Sequence, residues 1–447
     1  MQKFQAGFAR VDVTPPLGIA VSGYFVFRKA EKILDPLQIN GLALSDGETK
    51  LVLLAVDNLG IDQTRLQPMI EAVCADTGLP AEAVYIHATH THTAGAISPI
   101  LEGEESPEYE QFVKQRMVEA AVAALADLKP AKMGWGVGQA PRVAFVRRFR
   151  MKDGSVQTNP GTNNPDIVAP IGEVDERVNI LRFDREGGST VVLMNFGNHP
   201  DTVGGCNISA DWPGFARTAV EQALPGTNAI LFNGAQGDVN HINVHPVGGE
   251  MNDLTRDFDD VDRGYGHARY IGRVIAGAVL QTYDKVSWVD SPSLRCGKKT
   301  VCVPSNMPAQ EELPLARQYA ALHKEGRENE IPYTGMMLTT VVAEALRMLE
   351  LEHGPESFEI SLSALAIGDV AFIGIAGEPF NGIGRALKEA EGWDLVLPTC
   401  CTNGYEGYFP MQEAYDEGGY EARSSNFRAG VAEQLIREGK ELLNSLR

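Results

Sequence analysis

Residues 42–57 read LALSDGETKLVLLAVD. Two apolar, β-prone runs flank the dipeptide Asp46-Gly47, which tolerates the backbone of a tight turn, so the runs are expected to pair antiparallel as a hairpin. The arrangement recurs at Asp153-Gly154 in RRFRMKDGSVQT, at Gly187-Gly188 in NILRFDREGGSTVVLMNF and at Gly368-Asp369 in LSALAIGDVAFIGIAG. The short apolar runs VYIHA (84–88), NAILF (228–232) and LVLP (395–398) read as further buried strands. Helical periodicity covers 64–77, 108–127, 213–224, 262–284, 309–324, 336–352, 380–391 and 427–445. Strands and helices alternate, which places the chain in the α/β class with an α+β tendency. The hairpins demand antiparallel pairs, so the sheets are expected to be mixed, with helices layered on them and the site at strand C-terminal ends.

Composition narrows the function. The chain of 447 residues carries 39 Lys+Arg against 59 Asp+Glu, a formal net charge of -20. Such a surface repels phosphate backbones and anionic lipid, which argues against nucleic-acid partners and peripheral membrane attachment. No run of about 18 uncharged apolar residues is present, so no transmembrane segment is expected. The opening MQKFQAGFARVDVTPPLG lacks an apolar signal core, and a cytoplasmic location is the expectation. Six cysteines without a CxxC pair read as free buried thiols. The stretch 240–262 reads as an acidic, glycine-rich loop, and its Asp259, Asp260 and Asp262 do not fit calcium-loop spacing.

Five polar clusters follow apolar strands: HATHTHTAG (87–95), GNHPDTVGG (197–205), NGAQGDVNH (233–241), GEPFNGIG (377–384) and TNGYEGY (402–408). Loops at strand ends are free to carry chemistry. In an extended segment, residues two apart share a face, so His90 and His92 are expected to point into one site. Imidazole is the commonest metal ligand at neutral pH. A set of hydrogen-bonded structural histidines would give the same local pattern. His87 lies inside the apolar run and reads as a core or supporting residue. His199 and Glu378 each stand at a strand end before a proline, and Glu378 also suits the first turn of a helix. No Walker A loop, GxGxxG, HExxH or GxSxG occurs. A site of two histidines and a carboxylate with an open position suits a catalytic zinc.

These blocks, in this order, resemble the catalytic domain of the neutral/alkaline (non-lysosomal) ceramidase family. GFARVDVTPPLGIAVSGY resembles its opening strand and turn, ATHTHTAG its histidine block, and GNHPDTVGGCNISADWPG its second histidine segment. NGAQGDVNH, GEPFNGIGR and NGYEGYFPMQEAYDEGGYEA resemble its GDVSPN, glutamate and tyrosine blocks. The resemblance implies a Zn²⁺ held by His90, His199, Glu378 and Tyr408, with His92, Arg147 and Tyr420 around the scissile carbonyl. Tyr408 and Tyr420 keep the family's twelve-residue spacing, in preference to Tyr405 and Tyr415. Arg148 competes with Arg147 in AFVRRFR. The family's GDVSPN serine falls on Asn240, which cannot act as a nucleophile, so attack by a metal-activated water is expected.

By the resemblance, residues 1–447 are a single ceramidase-like catalytic domain without the family's C-terminal β-sandwich domain. The implied activity is zinc-dependent hydrolysis of an amide (N-acyl) bond in a small-molecule or lipid-like substrate. Two other readings stand beside it. One is a cytosolic zinc hydrolase of a small soluble ester, lactone or N-acyl sugar-type compound; the other is a non-catalytic zinc-containing binding protein of the same fold. A long apolar groove would favour the first activity, a closed polar pocket the second, and a sealed four-ligand shell the third.

Overall fold

All four turn dipeptides close antiparallel pairs in the computed structural model, which describes residues 4–98, 106–247 and 264–447. At the first, Asp46 accepts hydrogen bonds from the amides of Glu48 and Thr49, and the turn pairs Ser45 with Lys50. At the last, only two residues separate Ile367 from its partner Val370, and Gly368 takes a φ of 61° that side chains rarely adopt.

The larger sheet contains β1 (Gln5–Asp12), β2 (Gln38–Ser45), β3 (Lys50–Val56), β4 (Val84–Ala88), β5 (Lys129–Gln139), β6 (Arg177–Arg185), β7 (Thr190–Phe196), β8 (Thr227–Asn233) and the short β9 (Ser287–Val289). Its order is β8-β7-β6-β5-β1-β2-β3-β4, with β9 beside β5. The end pairs β3–β4 and β7–β8 are parallel, whereas the pairs between them are antiparallel. A second sheet orders β10 (Leu294–Pro304), β11 (Ser357–Ile367), β12 (Val370–Ile375) and β13 (Leu395–Thr399), and only β12–β13 is parallel. The architecture is therefore mixed α/β, as the turn chemistry requires.

Helices α1 (Gln63–Thr77) and α2 (Pro107–Ala126) pack with β1–β4, α3 (Asp211–Ala223) packs beside β8, and α4 (Tyr265–Thr282) packs against α3 and beside β5 and β6. Helices α5 (Leu313–Lys324) and α6 (Gly335–Leu351) form a pair, while α7 (Asn381–Lys388) and α8 (Val431–Ser445) cover the second sheet. Several helices are shorter than their periodicity suggests. The apolar pattern at 427–445 starts a turn too early, because Gly430 adopts a φ of 100° and the helix begins at Val431. Asp259, Asp260 and Asp262 lie outside the described residues. Among the described residues no helix is long and apolar enough to cross a membrane. All six cysteines are free, but only Cys400 and Cys401 are buried, and Cys302 is exposed. The expectation of buried thiols therefore fails for the other four; Cys302, for example, sits on the outward face of β10.

The two parallel ends of the large sheet meet the second sheet at one point. Tyr85 of β4, Phe232 of β8 and Phe372 of β12 are buried, with ring centroids 6.0–6.2 Å apart. Three parallel strands from three sheet regions thus end side by side, and their C-terminal loops share one space. Phe232→Ala should cost about 3–5 kcal/mol, the usual loss for a buried aromatic, whereas Phe112→Ala on the exposed side of α2 should stay within about 0.5 kcal/mol. Urea unfolding midpoints at constant slope check both.

Candidate metal and catalytic centre

Beyond β4 the chain leaves the extended state. His90 has a φ of 74°, an uncommon left-handed conformation for a non-glycine residue, held by its amide bonding to the Asn58 carbonyl at 2.8 Å. Strand alternation therefore does not bring His90 and His92 together, as the sequence pattern implied. The turn does, and their rings meet edge to face with centroids 5.0 Å apart. His199 follows β7, Glu378 follows β12, and Tyr408 follows β13.

All three imidazoles are oriented from behind. Nδ1 of His90 lies 2.6 Å from the Leu59 carbonyl, Nδ1 of His92 2.9 Å from the Gly23 carbonyl, and Nδ1 of His199 3.2 Å from the Gln236 carbonyl. A carbonyl oxygen only accepts, so each Nδ1 carries the proton and each Nε2 presents a lone pair. Gly23 makes its contact with a φ of 118°, and a Cβ there would lie 2.9 Å from His92 Nδ1. The lone pairs converge. His90 Nε2 is 3.3 Å from His199 Nε2 and 3.3 Å from His92 Nε2, and Glu378 Oε2 is 3.2 Å from His90 Nε2 and 3.4 Å from His199 Nε2. Facing lone pairs repel unless a cation or a proton lies between them, and the buried group His90, His92 and His199 can hold a metal ion.

The electrostatics agree. Burial lowers the pKa of His92 to about 4 and pushes His199 well below the imidazole range, keeping both neutral and able to donate electron pairs. Burial works against the Glu378 carboxylate, yet its polar neighbours, the Tyr405 hydroxyl and Arg147 among them, hold its pKa down at about 2. Burial, aided by the Glu378 charge, raises the phenols of Tyr405 and Tyr408 well above their ordinary range.

Arg147, not Arg148, faces this centre. Its Nε donates to Glu421 Oε1 at 2.6 Å, and its Nη2 donates to the Gly237 carbonyl at 2.7 Å and the Tyr408 hydroxyl at 3.1 Å. Arg148 turns away to the Gly418 carbonyl and Glu417 and lies over the Phe380 ring. Tyr420 packs edge-on against Tyr408, with centroids 5.6 Å apart. Asn240 hydrogen-bonds Asn159 and the Ile242 amide. All seven residues singled out in the sequence thus border one centre.

Several contributors were not singled out. The Tyr405 hydroxyl donates to Glu378 Oε1 at 2.6 Å, and Gln236 Nε2 approaches Glu378 Oε2 at 3.3 Å. Glu421, fully buried, holds Arg147 and accepts from Thr158. Tyr24 donates to Asp201 beside His92. Tyr405 was visible in the tyrosine block but lost to Tyr408 on spacing. Glu421 gives no local signal, since a glutamate in a short polar helix ordinarily faces solvent.

Two cavities open at the histidines, sharing His92, Tyr408 and Tyr420 in their walls, and α6 lines both. One of about 290 Å³ brings His92, His199, Arg147 and Tyr420 against Met336 and Val342. The other, of about 530 Å³, brings His90, Glu378 and Tyr405 against Leu346, Phe358 and Glu406. Their walls mix apolar and charged side chains, so neither is a purely apolar groove nor a purely polar pocket.

No protein-family model and no curated protein sequence matches the chain. Solved structures do match. Neutral ceramidase from Pseudomonas aeruginosa superposes with a TM-score of 0.73 at 18% identity, over 100% of this chain and 75% of that one. A ceramidase complexed with C2 superposes with a TM-score of 0.72 at 17% identity, over 100% and 76%. The chain has the neutral ceramidase fold.

Glu421→Ala strands a buried guanidinium and should cost about 3–5 kcal/mol. Glu421→Gln, which keeps an acceptor, should cost less; thermal unfolding of the two variants checks the order.

Proposed function

We propose that the chain is a zinc-dependent hydrolase that cleaves the amide bond of a lipid-like N-acyl substrate. The observation that carries this reading is the triangle of His90 Nε2, His199 Nε2 and Glu378 Oε2, with edges of 3.3, 3.2 and 3.4 Å. Zinc in a tetrahedral site with ligand distances of about 2.0–2.1 Å has neighbouring donor atoms about 3.3–3.4 Å apart, so the donor set fits the ion. Tyr408 is the proposed fourth donor, its hydroxyl lying beside Arg147 at the cavity wall. Bound there, zinc supplies Lewis acidity, which polarises an acyl carbonyl and lowers the pKa of a water to about 7.

The remaining work falls to side chains. Arg147, anchored by Glu421 and the Gly237 carbonyl, offers a charged donor to the oxygen on which negative charge builds. Tyr420, its hydroxyl kept protonated by burial, offers a second donor. His92, neutral, with its Nδ1 fixed by Gly23, presents at Nε2 the lone pair that would take the proton of the attacking water and pass it to the departing nitrogen. The α6-walled cavities leave room for the acyl group in one and the amine in the other. The ceramidase neighbours of the fold support an N-acyl substrate.

Purified protein should carry one zinc per chain by elemental analysis. A panel of N-acyl amides, esters and lactones should show turnover that His90→Ala and Glu378→Ala abolish together with the metal. Protein without stoichiometric transition metal, or hydrolysis that survives His90→Ala, sinks the proposal. Arg147→Ala and Tyr420→Phe should keep the metal and lower kcat by about 10²–10³ each, the usual effect of deleting one oxyanion donor.

A further inference from the structure

We infer that Tyr405 is a positioning residue of the metal centre: its hydroxyl holds one oxygen of Glu378, so that the other alone faces His90 and His199. The inference rests on the zinc reading above. A free carboxylate beside a cation can rotate or bind through both oxygens. Here Oε1 is engaged by Tyr405 at 2.6 Å, while Oε2 is the atom within 3.2–3.4 Å of both imidazoles. Hydrogen bonds to a ligating group orient it and tune its hold on a metal.

A second contact makes the hydroxyl's placement specific. The Tyr405 ring lies nearly parallel to the His90 ring, with centroids 6.0 Å apart and planes at 20°. Its opposite constraint is Gly60, where a Cβ would lie 2.5 Å from Tyr405 Cδ2. Gly60 needs no unusual φ, so the bare Cα there serves close approach rather than backbone freedom. The residue before it, Leu59, supplies the carbonyl that orients His90. One two-residue turn therefore aims the histidine and seats the tyrosine that aims the glutamate.

Tyr405→Phe keeps the ring and removes the hydroxyl, which separates positioning from packing. Zinc titration of chelator-stripped protein against a chromophoric chelator should show a dissociation constant raised about 10–100-fold in Tyr405→Phe. Gly60→Ala, which keeps the hydroxyl and displaces the ring, should weaken binding in the same direction. Tyr415→Phe, whose hydroxyl bonds the Phe427 carbonyl, should bind zinc as the parent does. A Tyr405→Phe constant within about twofold of the parent overturns this inference and leaves the zinc reading intact. A parent protein that binds no zinc overturns both.

Discussion

One neutral imidazole holds the strand ends together. His87 donates through Nδ1 to the Cys400 carbonyl at 2.7 Å and accepts through Nε2 from the Asn233 amide at 2.9 Å. Its ring stacks on Phe232, with centroids 5.0 Å apart. It thereby links β4, β8 and the residue that follows β13, three of the five strands whose C-terminal loops border the centre. The tautomer is forced, because Nε2 must accept from a backbone amide. Burial lowers its pKa to about 3, so the link stays intact across the neutral range.

A buried ion pair braces the same region from another side. Arg217 of α3 donates both Nη atoms to Asp57 at 2.9 and 2.6 Å, and Asp57 also accepts from Thr89 and the Gln38 amide. The carboxylate has enough partners to offset its desolvation, a condition that lone buried pairs seldom meet. Asp211 at the start of α3 accepts from the amides of Thr202 and Val203, fixing the loop that carries His199. The helix is thus tied to both histidine-bearing loops. The glycine-tight crossing of Gly237 on the Glu378 carbonyl, where a Cβ would lie at 2.5 Å, completes the enclosure.

What was legible in the sequence follows from the range of the interactions. Turn dipeptides act over four residues, so Asp46-Gly47 and Gly368-Asp369 announce their hairpins without help from the rest of the chain. The pairing of β1 with β5 and the closure of β4 on β8 depend on contacts more than 100 residues apart, and no local pattern encodes them. Among the polar groups, His90, His199 and Glu378 stood out because histidines and a carboxylate at strand ends are chemically unusual there. Arg148 stayed a competitor of Arg147, since the carboxylates that draw the two guanidiniums apart, Glu421 and Glu417, lie 274 and 269 residues away. Tyr405 was passed over for Tyr408 and Gly60 escaped notice, because their meaning lies in a contact across the fold.

The reach of the His87 joint bears on how the protein assembles. The Cys400 carbonyl lies 313 residues along the chain from His87. Closing so long a segment is entropically slow, and native contacts of high sequence separation lengthen the folding time. The chelating atoms come from loops that face one another only after this closure. An ion at the proposed site would therefore be gripped by a scaffold already closed, rather than serving as the seed around which the chain collapses.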